Sequence, residues 1–489
     1  MEETAKTTNE MQIKTPLKGL AIIALIGPSM VWCAEYIGSG EVILATRTGA
    51  ILGSTVLWAI VIGIFLKYWI GMSGARYTVC TGEGMVDMFS RMPGPRNWAV
   101  WLVLIAQFAS AALSIGALAT SAGIFVSSLF PTGILPPQVA RAFPILCGWL
   151  VTIASVGIVW SGAFDVLKIV MSFFVVIIVL GVLYVAVHVF PPFTDFLQSL
   201  VPNVPQVPQW ALKIEGISNN PWKEMLPLIG WGAGGFASQV WYTYWVLGAG
   251  YGAAAGRSYG QAADVPALKR MTRDAAEKIK GWCHVLYADA TLAMVIGIVV
   301  TGSFVIAGAG ILRPAQIAPK GEHVAFELSN LFSLRWGQIG GFLFLLAGAA
   351  ALISTQVGQL AGWPRLLADS FRICIPGFDK KFAWKTQFRF FLLFFLCTNM
   401  ILVFCFKKQP VFLVQLAAVL DGLLLTPLQA IWVAIGLFWV MPKLLSQDAA
   451  KILKPNPLFA VGLIVAFLVF GYFCVFQIPS ALALLIHTK

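Results

Sequence analysis

The amino-acid sequence predicts an all-α polytopic membrane protein of about eleven spans, with the first and the sixth span broken. Three observations carry that expectation. Of 489 residues, 59% are hydrophobic and 11% are charged, too few charges to cover a soluble globule of this size. Apolar runs long enough to cross about 30 Å of hydrocarbon recur along the chain. Glycine clusters interrupt two of those runs, five spans apart.

In order, the runs are 19–49, 52–75, 97–129, 140–161, 164–190, 225–252, 284–310, 337–362, 387–407, 410–441 and 456–485. Several exceed a minimal crossing, so tilt or interruption is expected. The residues before them, Met1 to Pro16, are polar and charged, without an apolar core followed by a small-residue cleavage site. No removable signal peptide is expected, and the first span directs insertion. The chain divides into a cytoplasmic tail (1–18), a first five-helix unit (19–190), an extracellular linker (191–224), a second five-helix unit (225–441), and a last span with a short C-terminus (442–489).

The formal charge of +12 reads as topology rather than as a nucleic-acid surface. With the N-terminus inside, the internal connections hold Arg76, Arg91 and Arg96, then Arg257, Lys269, Arg270, Arg273, Lys278 and Lys280, then Arg365, Arg372, Lys380, Lys381 and Lys385, then Lys443, Lys451 and Lys454. The opposite side carries the sparser Arg141, Lys213, Lys223, Arg313, Lys320, Arg335, Lys407 and Lys408. The positive-inside rule therefore places the N-terminus inside and the C-terminus outside, as an odd span count requires, in what is expected to be the cytoplasmic membrane.

The breaks lie at "IGSGE" in the first span and at "IGWGAGGFASQ", Ile229 to Gln239, in the sixth. An odd separation gives the second unit the opposite orientation, so the breaks occupy matching places in an inverted repeat. Unwound backbone at mid-membrane survives only where protein or a watery cavity satisfies its N–H and C=O groups. The pair therefore implies a central binding site and alternating access, with half-helix N-termini for anions and freed carbonyls for cations. Within the spans Glu35, Glu41, Arg47, Lys67, Asp289 and Asp421 need partners or roles. Gln107, Gln239, Thr243, Gln356, Gln359 and Gln415 are weaker polar candidates, each readily explained as an interhelical hydrogen bond.

The stretch "GPSMVWCAEYIGSGEVILATRTGA", Gly27 to Ala50, resembles the first transmembrane helix of the Nramp (natural resistance-associated macrophage protein) divalent-metal transporters. That family reads Gly-Pro-Gly, a short apolar run, Ala-Tyr-Ile-Asp-Pro-Gly-Asn, then an Ala-Gly-Ala type ending. "ARYTVCTGEGM", Ala75 to Met85, is similar to the family's Arg-Leu-Gly-x-x-Thr-Gly-x-x-Leu signature. The resemblance implies the LeuT-type fold of the amino acid–polyamine–organocation superfamily, two inverted five-helix repeats plus one helix. The departures fall on the chemistry. Gly38 stands at the family's metal-binding Asp and Glu41 at its Asn. The family's Ala-x-x-Met-Pro-His of the sixth helix aligns with Ala233, Phe236, Ala237 and Ser238, so the thioether ligand is lost. Ser110 and Leu113 stand where an acidic proton route is expected in the third span.

A carboxylate, amide and thioether set favours transition metals, and without the thioether that preference goes. Glu35 lies near the helical face of Gly38. Glu35 and Glu41 would together suit a hard or hydrated divalent cation such as magnesium, with Gly38 widening the cage. The structural reading of Glu41 is a cap on the second half-helix, with Lys67 or Arg47 neutralising an acid. The rival reading takes Gly38, Ser39 and Gly40 as similar to the backbone turn that binds a substrate carboxylate in amino acid–polyamine–organocation transporters, opening a half-helix with exposed N–H groups. Trp231, Phe236 and Trp241 would then enclose an organic solute, although such aromatics mostly pack or anchor. A non-transporting receptor is a third class. Candidate site residues are thus Glu35, Gly38, Ser39, Gly40, Glu41, Ala233, Gly234, Phe236, Ser238 and Gln239, with Glu41 and Glu35 as metal ligands.

An enzyme is not expected. His188, His284, His323 and His487 sit apart, and no phosphate-binding Gly-x-x-x-x-Gly-Lys motif is present. The eight cysteines lie mostly in apolar spans without Cys-x-x-Cys spacing, which argues against a disulfide framework or zinc site. No cofactor or nucleic-acid partner is expected; the partners are the bilayer and a transported cation or solute, and oligomeric state is not legible.

Overall fold

The computed structural model describes residues 13–17, 19–130, 135–214, 216–319, 324–406, 410–477 and 479. Most of the N-terminal tail, Lys320, Lys407, Lys408, His323 and His487 lie outside the described residues, as does the side chain of Arg335. The described residues are helical with no strand. Among the described residues nine helical segments are long and apolar enough to cross a membrane: Ser54–Thr81, Trp98–Ser128, Pro137–Val159, Phe164–His188, Arg273–Leu312, Gly337–Cys374, Trp384–Cys405, Val414–Leu444 and Pro457–Gln477. The first and sixth spans, broken into shorter helices, complete the count of about eleven.

The first span runs as a 3₁₀ turn over Gly19–Leu25, an α-helix over Pro28–Tyr36, and, beyond the break at Ile37 and Gly38, a widened turn at Gly40–Ala45 that continues as Thr46–Leu52. Pro28 opens its helix where a missing N–H costs nothing. The sixth span is Trp222–Trp231, then Phe236–Ala249. Its break is set by Ala233 at φ +56° and Gly234 at φ +74°. Left-handed backbone suits glycine, and Ala233 holds it at a steric cost.

The two broken spans pack against each other and are enclosed by the second, fifth, seventh, eighth and tenth spans. The fifth, ninth and eleventh are only 33% buried, and residues such as Ile169, Leu180 and Phe390 face outward, as a lipid-facing ring requires. The tenth span departs from the expectation of one unbroken helix. Pro410–Gly422 ends at a turn, and Thr426–Ile435 restarts with a proline in its first turn. The break places Asp421 at mid-bundle.

Two buried clusters fix the broken first span. At one end Arg47 makes a bidentate pair with Glu224, at 2.9 and 3.0 Å, and donates to the Pro319 carbonyl at 2.7 Å. At the other end Asp289 of the seventh span accepts from the N–H groups of Gly27 (3.1 Å) and Ser29 (2.9 Å), the Ser29 hydroxyl (2.8 Å) and the Tyr242 hydroxyl (2.9 Å). That carboxylate caps the helix at Pro28, where the dipole favours negative charge.

Candidate functional site

The site forms where the two breaks meet. Helix ends leave N–H and C=O groups without intrahelical partners, and in a bilayer those groups must be satisfied inside the protein. Here side chains of the broken spans themselves and of neighbouring spans do that work.

In the first span Ile37 leaves helical geometry at ψ 92°, and the helix restarts at Gly38. Glu41, three residues on, turns back so that the Gly38 N–H donates to its Oε2 at 2.8 Å. This is the carboxylate half of a capping box. Glu41 thus fills the position at which the rival reading would seat a substrate carboxylate. The Ile37 carbonyl, freed by the break, accepts from the Thr355 hydroxyl of the eighth span at 3.1 Å. Thr355 also explains Gly38. A Cβ at position 38 would lie 2.7 Å from Thr355 Cβ and 3.0 Å from its methyl, so no side chain fits there without moving the eighth span.

In the sixth span the freed carbonyls of Gly230 and Gly234 both accept from the Lys67 ammonium, the latter at 2.6 Å. Lys67 comes from the second span, is fully buried, and lies 5.7 Å from the Phe470 ring centroid. Its charge also interacts with Asp421 and Glu41. Gln239 closes the rest of the break by donating from Nε2 to the Ala233 carbonyl at 2.7 Å. Asp421 sits at the start of the second half-helix and accepts from the Ala237 N–H at 3.4 Å and from Gln107. Gly235 permits that approach, because a Cβ there would overlap the Asp421 carboxylate. Lys67 therefore stands at a carbonyl end and Asp421 at an N–H end, each with the sign the helix dipole prefers.

Glu35 lies on the opposite side of the first break. Its Oε2 accepts from the Ser238 hydroxyl at 2.6 Å, and Ser238 accepts from the Trp32 indole N–H at 3.0 Å. Trp32 stacks on Tyr242 at 4.2 Å between centroids. Glu35 interacts electrostatically with Asp421 and Glu41, so the three carboxylates share one region. Two neutral oxygens in it, Ser39 Oγ and Gln239 Oε1, are buried without a hydrogen-bond partner. Gly40 lets the first break rest on Trp231, 3.0 Å from where its Cβ would be.

The structure thus brings together Glu35, Gly38, Ser39, Gly40, Glu41, Ala233, Gly234, Ser238 and Gln239. Phe236 points elsewhere. Its ring packs on Phe89 at 6.0 Å, because residues two apart on a helix face nearly opposite directions and Ser238 faces Glu35. Trp241 packs edge-on against Trp363. Ser110 bonds only its own helix, to the Ala106 carbonyl at 3.0 Å. No cluster of three or more His, Cys, Asp or Glu arranged to hold a metal occurs among the described residues. Sequence reasoning undervalued Lys67, Asp421 and Gln107 and passed over Thr355. The signal for Thr355 was its place beside Gln356 in an apolar span.

The backbone arrangement defines a class: the LeuT-type fold, with broken first and sixth helices meeting at mid-bundle. The Eremococcus coleocola manganese transporter, solved with an aromatic bis-isothiourea compound, matches it with a TM-score of 0.61 at 14% identity over 99% of this chain and 98% of that one. MhsT in complex with L-phenylalanine matches with a TM-score of 0.50 at 15% identity over 93% and 99%. At these identities the likeness is one of fold. In sequence, the family model described as natural resistance-associated macrophage protein-like matches residues 29–217. A divalent metal cation transporter MntH of Yersinia enterocolitica is 31% identical over 81 residues, 16% of this chain and 20% of that protein. Another from Pectobacterium carotovorum is 31% identical over 103 residues, 21% and 23% of the two chains. The alignments span about a fifth of the length of these relatives. Over residues 29–217 the chain is thus similar to the natural resistance-associated macrophage protein family, on a LeuT-type fold.

Proposed function

We propose that this protein is a secondary transporter that carries a divalent cation by alternating access through the site between its two breaks. The observation that carries the reading is the charge and donor chemistry of that site. Glu41 and Asp421 face one ammonium, Lys67, and Glu35 faces those two carboxylates rather than the ammonium, so the three acids outnumber their one cation by two. A single divalent cation cancels that excess when all are ionised. The donors are all oxygen: carboxylates, the Ser39 and Ser238 hydroxyls, and the Gln239 amide oxygen. Such a set suits a hard, partly hydrated ion such as magnesium over a thiophilic one. Glu35 is the carboxylate best placed to bind, since a hydroxyl engages it; Glu41 would have to release its cap. The MntH relatives, divalent metal cation transporters by name, support the same cargo class.

The organic-acid reading is weakened by Glu41, which already fills the Gly38 N–H. The protein is proposed to sit in the cytoplasmic membrane with its N-terminus inside and C-terminus outside. Uptake into proteoliposomes tests the function, comparing magnesium, manganese and a panel of amino and organic acids, with and without a pH gradient. Saturable uptake of a divalent cation is expected, reduced at least about a hundredfold by Glu35→Gln, of the order that loss of a paired buried charge produces. Uptake of an organic solute alone would refute the reading.

A further inference from the structure

At the basic face of the bundle, away from the breaks, a cleft of about 450 Å³ opens between the second, seventh and eleventh spans. Its upper rim holds Arg76, Lys280, His284 and Lys454, and none of its lining residues is acidic. Trp69, Met72, Leu458 and Phe459 continue the same cleft along the spans, with Leu458 60% exposed on the lipid-facing side. The cleft is therefore cationic at one end and apolar at the other.

Arg76 supplies the second, independent sign of a ligand. The residue is 6% exposed, donates from Nη2 to the Leu453 carbonyl at 2.8 Å and is hydrogen-bonded with the Cys283 thiol, while its Nε is buried without an oxygen partner. The guanidinium also lies 5.4 Å from the Phe459 ring centroid and 5.7 Å from that of Tyr287, so it is held in place rather than free to swing to water. A buried guanidinium edge with an unmet N–H calls for an oxygen acceptor, and a phosphate diester offers one in the planar geometry that arginine favours. Lys280 and Lys454 are exposed on the same cleft, and their long side chains can reach the same anion.

We infer that this cleft binds an anionic phospholipid, its phosphate between Arg76, Lys280 and Lys454 and an acyl chain along Trp69, Leu458 and Phe459. Basic pockets between spans near the membrane surface recognise anionic headgroups in this way. A free phosphate would use only the cationic end, whereas the exposed apolar end is accounted for by a lipid chain. Because the seventh span carries both Lys280 and Asp289, a lipid seated here also braces the helix that caps the first span.

Native mass spectrometry and thermal unfolding of the purified full-length protein test the assignment. Phosphatidylglycerol, phosphatidylcholine and inorganic phosphate are added in turn. Phosphatidylglycerol is expected to bind about tenfold more tightly than phosphatidylcholine and to raise the unfolding temperature, with inorganic phosphate ineffective at equal concentration. The double variant Lys280→Gln with Lys454→Gln, both exposed positions, is expected to lose most of that preference while unfolding normally without lipid. Equal binding of the two lipids, an unchanged preference in the double variant, or an equal effect of inorganic phosphate would each overturn the assignment.

Discussion

Lys67→Met is expected to destabilise the protein by about 4 kcal/mol, because removing one partner of a buried charge cluster strands the others. The Gly230 and Gly234 carbonyls lose their donor, and Asp421 and Glu41 lose the positive charge that faces them. In a bilayer no bulk water replaces it. The methionine fills much the same volume, so the loss is electrostatic rather than a packing defect. Thermal unfolding in detergent reads the change. Wild-type unfolding in the variant would mean that Lys67 does not hold the sixth-span break together.

Gly38→Asp, which restores the acid of the family pattern, is expected to impair folding rather than to restore a transition-metal site. The new Cβ would lie 2.7 Å from Thr355 Cβ, and the new carboxylate would join Glu35, Glu41 and Asp421 in one region. Overpacking and an unpaired buried charge together are expected to cost about 4 kcal/mol. Gly38→Asp with Thr355→Ala removes the overlap and is expected to recover yield in part. Recovery separates the steric from the electrostatic share. A fully stable single variant would show that Thr355 does not close the position.

The fold was legible because its two signals are local. Long apolar runs need no partner to be recognised, and "IGSGE" and "IGWGAGGFASQ" announce their own breaks. The tenth-span break was not read, although Gly422 and Pro427 bracket it as a stop and a restart, because Leu423, Leu424 and Leu425 keep the run apolar. The site was half legible. Glu41 as a cap follows from its three-residue spacing to Gly38, and the structure shows that bond. The Lys67 contacts join residues 163 and 167 apart in sequence, which no local pattern reveals. Phe236 shows the limit of alignment. A residue matched to a ligand position turned its ring to Phe89, because the break and the helical register together decide which side chains face the first span.

Equilibrium binding of magnesium and manganese to the purified protein, by calorimetry at fixed pH, tests most directly whether the region between the breaks is a cation site. One divalent ion per chain is expected, magnesium at least as tight as manganese, with binding lost in Glu35→Gln and retained in Lys280→Gln. No divalent binding, or binding that Glu35→Gln leaves unchanged, would contradict it.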